Sequence, residues 1–378
     1  MVDLLRGYER TPSVAQALVT RMLRPFLIAS LLAFTLTGVA SASEKHPAKK
    51  PPTVLLAGAG STFDAPFFDA AFSAYHRLNP NVTIRYDAVG SGLGISRFSS
   101  GTVNFGASDV PMTSAEQATV EGGRVLQVPI DLGAVVISYN LDAGPLSQPL
   151  RLSGPVLAEI FLGQITNWDN SAIAALNPGT LLPNAPIIVV HRSDSSGTTY
   201  IFTNYLSSVS PAWSNGPGTN KVVKWPVGVG AKGSPGVATD VKHIPGAIGY
   251  FELSYAESHD LPYFAIENAA GAFVAPFAAS IAADASKNPA VSASNFSIVN
   301  EPGTASYPIS GFSWLLLYQH QTNRATGSAL VDLVDWMIDQ GQSIAAANYY
   351  VPLPVSVRLL AKYTVTKVIG PSGAHLSP

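Results

Sequence analysis

Four short polar turns carry the residues of this chain that are best suited to chemistry. Each turn follows an apolar run that predicts a buried strand, and three of them lead into a segment with helical spacing. The turns contain Ser61-Thr62-Phe63, Ser91-Gly92, Asp109 and Ser196-Gly197-Thr198. A helix that begins at such a turn presents free backbone N–H groups and a partial positive charge, which suit an anion. The pattern therefore indicates an oxyanion site at the carboxyl ends of the strands.

Each turn alone has a simpler interpretation, in which its Ser or Thr only caps the following helix. The anion hypothesis depends on three such junctions occurring in one chain together with an arginine. Arg192 closely follows the apolar run 187–190 and stands two positions before Asp194. A guanidinium can bind an oxyanion through two N–H groups, and a neighbouring carboxylate can hold it in place. We expect this pair to belong to the site rather than to form an exposed ion pair.

Several enzyme signatures are missing from the sequence. There is no G-x-x-x-x-G-K-[ST] phosphate loop, the G-x-G-x-x-G pattern is incomplete after Gly58, and Val89 stands where a G-x-S-x-G elbow needs glycine. The seven histidines lack H-E-x-x-H spacing, and the chain has no cysteine. We therefore expect no catalytic residue, no cofactor and no metal. An exported phosphatase or esterase that uses a serine in the same turns stays the alternative.

The elements that must position these residues alternate between strands and helices. Strands are predicted at 53–57, 82–86, 104–109, 135–139 and 187–191. Helices are predicted at 65–78, 154–162 and 200–206. This alternation predicts an α/β architecture with mainly parallel pairing. The length of 378 residues favours two domains, and a 47% hydrophobic composition with only 12% charged residues excludes disorder for most of the chain.

Charge and the first residues indicate where the protein works. The 22 basic and 24 acidic residues give a net charge of -2, so we expect no nucleic-acid partner. Arg21 and Arg24 precede an apolar run at 25–37 that is shorter than the ~20 residues a membrane span needs. With the small residues that end at Ala42, this predicts a cleaved signal peptide at 1–42, with Met22 as the alternative start. Without cysteine there is no lipid anchor, and we expect a protein exported to the periplasm.

These motifs together resemble the PstS family, the periplasmic phosphate-binding proteins of bacterial ABC phosphate transporters. The site motifs are GAGSTF at 58–63, FGASD at 105–109 and RSDSSGT at 192–198, and similar segments lie at 161–168, 224–226 and 245–250. The resemblance implies a two-lobe periplasmic-binding-protein fold, type II-like, with a ligand cleft between lobes that a strand hinge joins. On this basis we expect lobe 1 at 43–136, lobe 2 at 137–315 and a return to lobe 1 at 316–378.

The resemblance also implies a role for each site residue. The implied phosphate donors are Thr62, Phe63 through its backbone N–H, Ser91, Arg192, Ser196, Gly197 and Thr198. Asp194 would hold the arginine, and Asp109 would accept the proton of the bound anion. Phosphate near neutral pH carries an O–H and sulfate does not, so an ionised carboxylate favours the first and repels the second. Gly92 stands where relatives often have serine, which implies one donor hydroxyl fewer.

The function that the resemblance implies is capture of inorganic phosphate by a monomer and its delivery to the membrane permease subunits of an ABC phosphate transporter. A binding module for sulfate, molybdate or an organic phosphonate is a further interpretation of the same turns.

Overall fold

Strands and helices alternate along residues 53–141 and 148–376, the part of the chain that the computed structural model describes. The strands are β1 (Val54–Gly60), β2 (Val82–Ala88), β3 (Phe105–Ser108), β4 (Val125–Tyr139), β5 (Arg151–Leu152), β6 (Ile188–Arg192), β7 (Val229–Ala231), β8 (Ala247–Glu252), β9 (Ala265–Glu267), β10 (Phe273–Val274) and β11 (Ser310–Tyr318). The helices are α1 (Ala65–Leu78), α2 (Ser91–Ser99), α3 (Ser114–Gln117), α4 (Gly154–Phe161), α5 (Ser171–Leu176), α6 (Gly197–Val209), α7 (Pro211–Asn215), α8 (Gly233–His243), α9 (Leu253–Ser258), α10 (Ala278–Ala285), α11 (Arg324–Asp339), α12 (Gln342–Ala347) and α13 (Val355–Val365). The predicted signal peptide at 1–42 lies outside the described residues.

Eight of the strands form one mixed sheet in the order β2-β1-β3-β11-β4-β8-β6-β7. Pairing is parallel at both ends of this sheet and antiparallel around β11 and β4 in the middle. The predicted α/β pattern is therefore correct for the two ends. The three short strands β5, β9 and β10 form a separate small sheet.

The long strand β4 connects the two ends of the large sheet. Its residues 125–134 pair with β11, and its residues 135–139 pair with β8. A register shift between Ser313 and Trp314 interrupts the first of these ladders. The end that contains β1, β2 and β3 and the end that contains β6, β7 and β8 are thus joined through one strand.

Helix α1 shows how the core fixes a polar turn. Its predicted range of 65–78 is confirmed, with Pro66 in the first turn, where a missing N–H costs little. One face is buried, and its side chains are Phe67, Phe68, Ala71, Phe72 and Tyr75. Each large apolar side chain that is fully buried contributes about 1.5–3 kcal/mol. This packing anchors the turn at Thr62 that precedes the helix.

Among the described residues, no helix combines the length and the apolar character that a membrane crossing requires.

Candidate anion-binding site

Three parallel strands place three polar side chains at the same edge of the sheet. Thr62 follows β1, Ser91 begins α2 shortly after β2, and Asp109 follows β3. Their exposed fractions are 3%, 1% and 2%. Because β1 pairs with both β2 and β3 in parallel, the carboxyl ends of the three strands meet there.

The other end of the sheet contributes an oriented arginine. Arg192 ends β6, and its Nε and Nη2 atoms donate hydrogen bonds to the two carboxylate oxygens of Asp194 at 2.7 and 2.5 Å. Asp194 also accepts a hydrogen bond from the backbone N–H of Gly233 at 3.0 Å. This two-point contact fixes the plane of a guanidinium that is almost fully buried. The remaining nitrogen, Nη1, lies 3.4 Å from Oγ1 of Thr198 and 3.3 Å from Oγ of Ser234.

Helix α6 brings its N-terminus to the same place. Ser196 is the N-cap residue, and its Oγ accepts a hydrogen bond from the Thr199 N–H at 3.1 Å. The first helical residues, Gly197 and Thr198, are buried beside the acid that follows β3. A Cβ at Gly197 would lie 2.6 Å from Cβ of Asp109, so the close approach of this backbone requires glycine.

Hydrogen bonds join the two sides of the cleft, which are the turns after β1, β2 and β3 on one side and the turns after β6 and β7 on the other. The backbone N–H of Gly197 donates to Ser91 Oγ at 3.1 Å. Thr198 Oγ1 donates to Asp109 Oδ2 at 3.0 Å. The structure therefore brings seven of the nine predicted residues into one network, namely Thr62, Ser91, Asp109, Arg192, Asp194, Gly197 and Thr198.

The other two predicted residues lie next to this network with their own partners. The hydroxyl oxygen of Ser196 caps α6, as described above. The backbone N–H of Phe63 donates to Ser61 Oγ at 2.9 Å, and its ring packs edge-on against Tyr350 in the core. Ser196 and Phe63 therefore shape the turns.

Asp109 has the electrostatic character of a proton acceptor. Burial raises the pKa of its carboxyl, although hydrogen bonds from Ser61, Thr198 and Ser313 and the charge of Arg192 oppose the rise. A carboxylate with a raised pKa binds a proton more readily. It can therefore share the proton of an anion that still carries an O–H.

Sequence analysis missed Ser234, which faces the same network. Its backbone N–H donates to Thr62 Oγ1 at 3.0 Å, and its side chain is fully buried. The signal was available in the sequence, because Gly233 and Ser234 follow strand β7 as directly as the other turns follow theirs. Gly233 has a φ of +71°, a conformation that favours glycine.

A cluster of buried acids behind Asp109 was also missed. Asp64, Asp131 and Glu252 are fully buried, and no carboxylate oxygen of Asp64 or Asp131 has a hydrogen-bond partner. Burial and mutual repulsion raise the pKa values of Asp64 and Asp131 well above the usual range. Burial therefore disfavours the charged forms of these two acids, whereas Asp109 is the acid whose pKa the charge of Arg192 lowers.

Gly92 lies at a tight contact between the two sides. Its backbone N–H donates to the Ser195 carbonyl oxygen at 3.0 Å. A Cβ at this position would overlap the Cβ and Oγ atoms of Ser195. The hydroxyl that the family pattern offers here has no room, and the backbone N–H of Gly92 is occupied by the Ser195 carbonyl oxygen.

Within residues 53–141 and 148–376, no group of three or more His, Cys, Asp or Glu side chains is arranged to hold a metal ion.

A sheet with two ends joined through one strand, and helix N-termini that face each other across a cleft, define a substrate-binding protein of the periplasmic-binding type. The family described as PBP superfamily domain matches residues 41–340. The phosphate-binding protein PstS of Xylella fastidiosa (strain 9a5c) is 41% identical over 309 residues, which are 81% of this chain and 84% of that protein. PstS of Pasteurella multocida is 42% identical over 304 residues, 80% of this chain and 87% of that protein. The chain belongs to the PstS family of phosphate-binding proteins, as predicted.

Solved structures show the same fold. A phosphate-binding protein from Stenotrophomonas maltophilia superposes with a TM-score of 0.65 at 19% identity, over 82% of this chain and 94% of that one. A high affinity periplasmic phosphate-binding protein, PfluDING, bound with phosphate, superposes with a TM-score of 0.63 at 24% identity, over 82% and 93%. The predicted two-lobe fold class is confirmed.

Proposed function

We propose that this protein captures inorganic phosphate and delivers it to the membrane permease subunits of an ABC-type phosphate transporter. The observation that carries the proposal is the buried contact between Thr198 and Asp109. It places one proton acceptor, the carboxylate of Asp109, among hydrogen-bond donors. The PstS relatives, which align with about four fifths of the chain, support the same ligand.

The donors and the acceptor have separate tasks in this proposal. The guanidinium of Arg192, the hydroxyls of Thr62, Thr198 and Ser234, and the N-terminus of α6 attract the negative oxygens. Each hydrogen bond to a charged group contributes roughly 1.5–3 kcal/mol before the costs of desolvation and ordering. Asp109 accepts the remaining phosphate proton. It repels sulfate, which offers no proton, and a misplaced like charge costs several kcal/mol.

The phosphatase alternative loses its support. The relatives named above are binding proteins. His191, the histidine nearest to Ser196 in the sequence, has other contacts. His191 stacks on Trp225 with ring centroids 4.8 Å apart, and its Nδ1 atom bonds the carbonyl oxygen of Arg192. This imidazole is not positioned to activate Ser196, so we propose a protein without catalytic activity.

The same proposal includes location and lobe boundaries. The signal pattern at 1–42 supports export to the periplasm, and the lack of cysteine supports a protein without a lipid anchor. The net charge of -2 supports a protein that binds no nucleic acid, and we propose that it acts as a monomer. We propose lobe 1 at 43–136 with a return at 316–378, and lobe 2 at 137–315. The change of partner along β4 between Ala134 and Val135 supports the first boundary.

Titration calorimetry tests the proposal. The chain from Ser43 onward is freed of endogenous phosphate and titrated with phosphate and with sulfate between pH 5 and pH 8. We expect tight one-to-one binding of phosphate and rejection of sulfate. Equal or absent binding of the two anions would mean that the turns hold another anion or only cap helices. Turnover of a chromogenic phosphate ester that is lost in Ser196→Ala would favour the enzyme instead.

A further inference from the structure

Outside the anion-binding network, an ion pair joins the two sides of the cleft. Glu116 lies in α3, which follows β3, and Lys221 lies between α7 and β7 at the other end of the sheet. The ammonium group of Lys221 donates to Oε1 of Glu116. Both side chains are partly buried, with exposed fractions of 28% for Glu116 and 14% for Lys221. This burial distinguishes the pair from the solvent-screened ion pairs that contribute little.

The carboxylate of Glu116 is also held by contacts within its own turn. Oε2 of Glu116 accepts hydrogen bonds from the Thr113 backbone N–H at 2.8 Å and from Thr113 Oγ1 at 3.1 Å. Thr113 Oγ1 in turn accepts from the Glu116 N–H at 3.2 Å, which completes a capping box. One oxygen is therefore occupied within α3 and the other faces the cleft. Little side-chain entropy remains to be lost when the ion pair forms.

Lys221 in turn supports the helix that faces the anion. Its carbonyl oxygen accepts the backbone N–H of Ser196 at 2.9 Å, and Ser196 is the N-cap residue of α6. The next residues of this helix, Gly197 and Thr198, contact Ser91 and Asp109. One residue therefore connects the ion pair at the rim to the binding turn by a single backbone hydrogen bond.

We propose that the ion pair between Glu116 and Lys221 is a latch that holds the cleft closed over phosphate and sets the rate of its release. This inference rests on the proposed function. The two partners come from opposite ends of the sheet, so the contact exists when the ends approach and is lost when they separate. An interaction made in one state only shifts the population toward that state. Glu116 and Lys221 are thus positioning residues, because neither belongs to the network that faces the anion.

The test measures release and uptake separately. The full mature chain is loaded with ³²P-labelled phosphate, and its dissociation is timed by quench-flow after dilution into unlabelled phosphate. Glu116→Gln keeps a capping-box residue and removes the charge, and Lys221→Met removes the ammonium group while keeping an unbranched stem. We expect either variant to release phosphate about 3- to 10-fold faster, with an association rate within about twofold of wild type. Arg97→Met is the matched control, because its ion pair with Asp87 lies on one side of the cleft.

A double variant decides whether the two residues act together. If they form one latch, Glu116→Gln with Lys221→Met releases phosphate no faster than the faster single variant. Additive effects, or single variants whose release rate equals that of wild type, would overturn the latch. A wild-type chain that takes up no phosphate would overturn the proposed function instead, so the two failures are distinguishable.

Discussion

Thr198 donates a hydrogen bond from Oγ1 to Oδ2 of Asp109 at 3.0 Å, and this bond joins the first turn of α6 to the end of β3. The second oxygen of Asp109, Oδ1, lies 3.4 Å from the Ser313 hydroxyl. Both oxygens are thus held by hydroxyl groups, while the carboxylate keeps its capacity to accept a proton. In the proposed function, the carboxyl of Asp109 is the group through which anions are distinguished.

Asp109→Asn is expected to relax the selection against sulfate. The amide is neutral, so it removes the repulsion that an ionised carboxylate exerts on a fully deprotonated anion. We expect the ratio of phosphate affinity to sulfate affinity to fall by a factor of at least about ten, measured by calorimetry at pH 7. Asp87→Asn, at an exposed carboxylate, is the control and should leave the ratio unchanged. Identical ranking of the two anions by Asp109→Asn and wild type would contradict the proton-acceptor role.

Arg192→Lys is expected to weaken phosphate binding nearly as much as Arg192→Ala. A lysine has no planar fork, so it cannot contact both oxygens of Asp194 and still face the cleft. The loss of a buried charge-assisted contact predicts a decrease in affinity of about 10- to 100-fold. Calorimetry on both variants, with Arg97→Lys as the surface control, checks this. Affinity at the wild-type level in Arg192→Lys would mean that only the charge matters.

Ser234→Ala tests the site residue that sequence analysis missed. Its hydroxyl lies 3.3 Å from Arg192 Nη1 and from Thr62 Oγ1, which places it between two of the proposed phosphate donors. Loss of one hydrogen bond to a charged ligand predicts an affinity about 10-fold lower. Ser286→Ala removes an exposed hydroxyl and should change nothing. If both variants bind phosphate as tightly as wild type, the hydroxyl of Ser234 contributes only to the contact between its turn and Thr62.

Local patterns predicted the parts of the fold that depend on local physics. The range of α1 was predictable from the spacing of its apolar residues. The turns after β1, β3 and β6 were predictable from apolar runs that end in polar residues. The joined sheet depends on pairing between β4 and β11, which are separated by more than 170 residues. Hydropathy alone carries no signal for such a partner.

The positions of Arg192 and Asp109 were predictable, because each is a charged residue at the end of an apolar run that forms a strand. The acids Asp64 and Asp131 show the limit of this reasoning. Each stands in an ordinary apolar context, and only the folded chain brings them together behind Asp109. Ser234 was missed for a different reason, because the resemblance supplied motifs that do not include its turn.

Gly92→Ala is expected to weaken phosphate binding by obstructing closure. The new methyl group would overlap the side chain of Ser195 on the opposite side of the cleft. The double variant Gly92→Ala with Ser195→Gly removes the overlapping atoms and should restore much of the affinity. Gly236→Ala is the control, because its added Cβ would meet its nearest neighbour at an ordinary 3.5 Å. Equal affinities for wild type and Gly92→Ala, measured by calorimetry, would show that the contact is not needed for closure.

Asp284→Asn is expected to change how stability depends on pH without changing phosphate binding. Burial in α10 raises the pKa of Asp284 to about 9, whereas the ordinary value is 3.8. Between these values the folded state binds more protons than the unfolded state, so the free energy of unfolding decreases as pH rises, by up to about 1.4 kcal/mol per pH unit. An asparagine does not titrate, and wild type should therefore lose stability relative to the variant between pH 5 and pH 8. Urea unfolding across this range measures the difference, with Asp169→Asn at an exposed carboxylate as the control. Parallel pH profiles for wild type and Asp284→Asn would mean that the carboxyl of Asp284 is ionised in the folded protein.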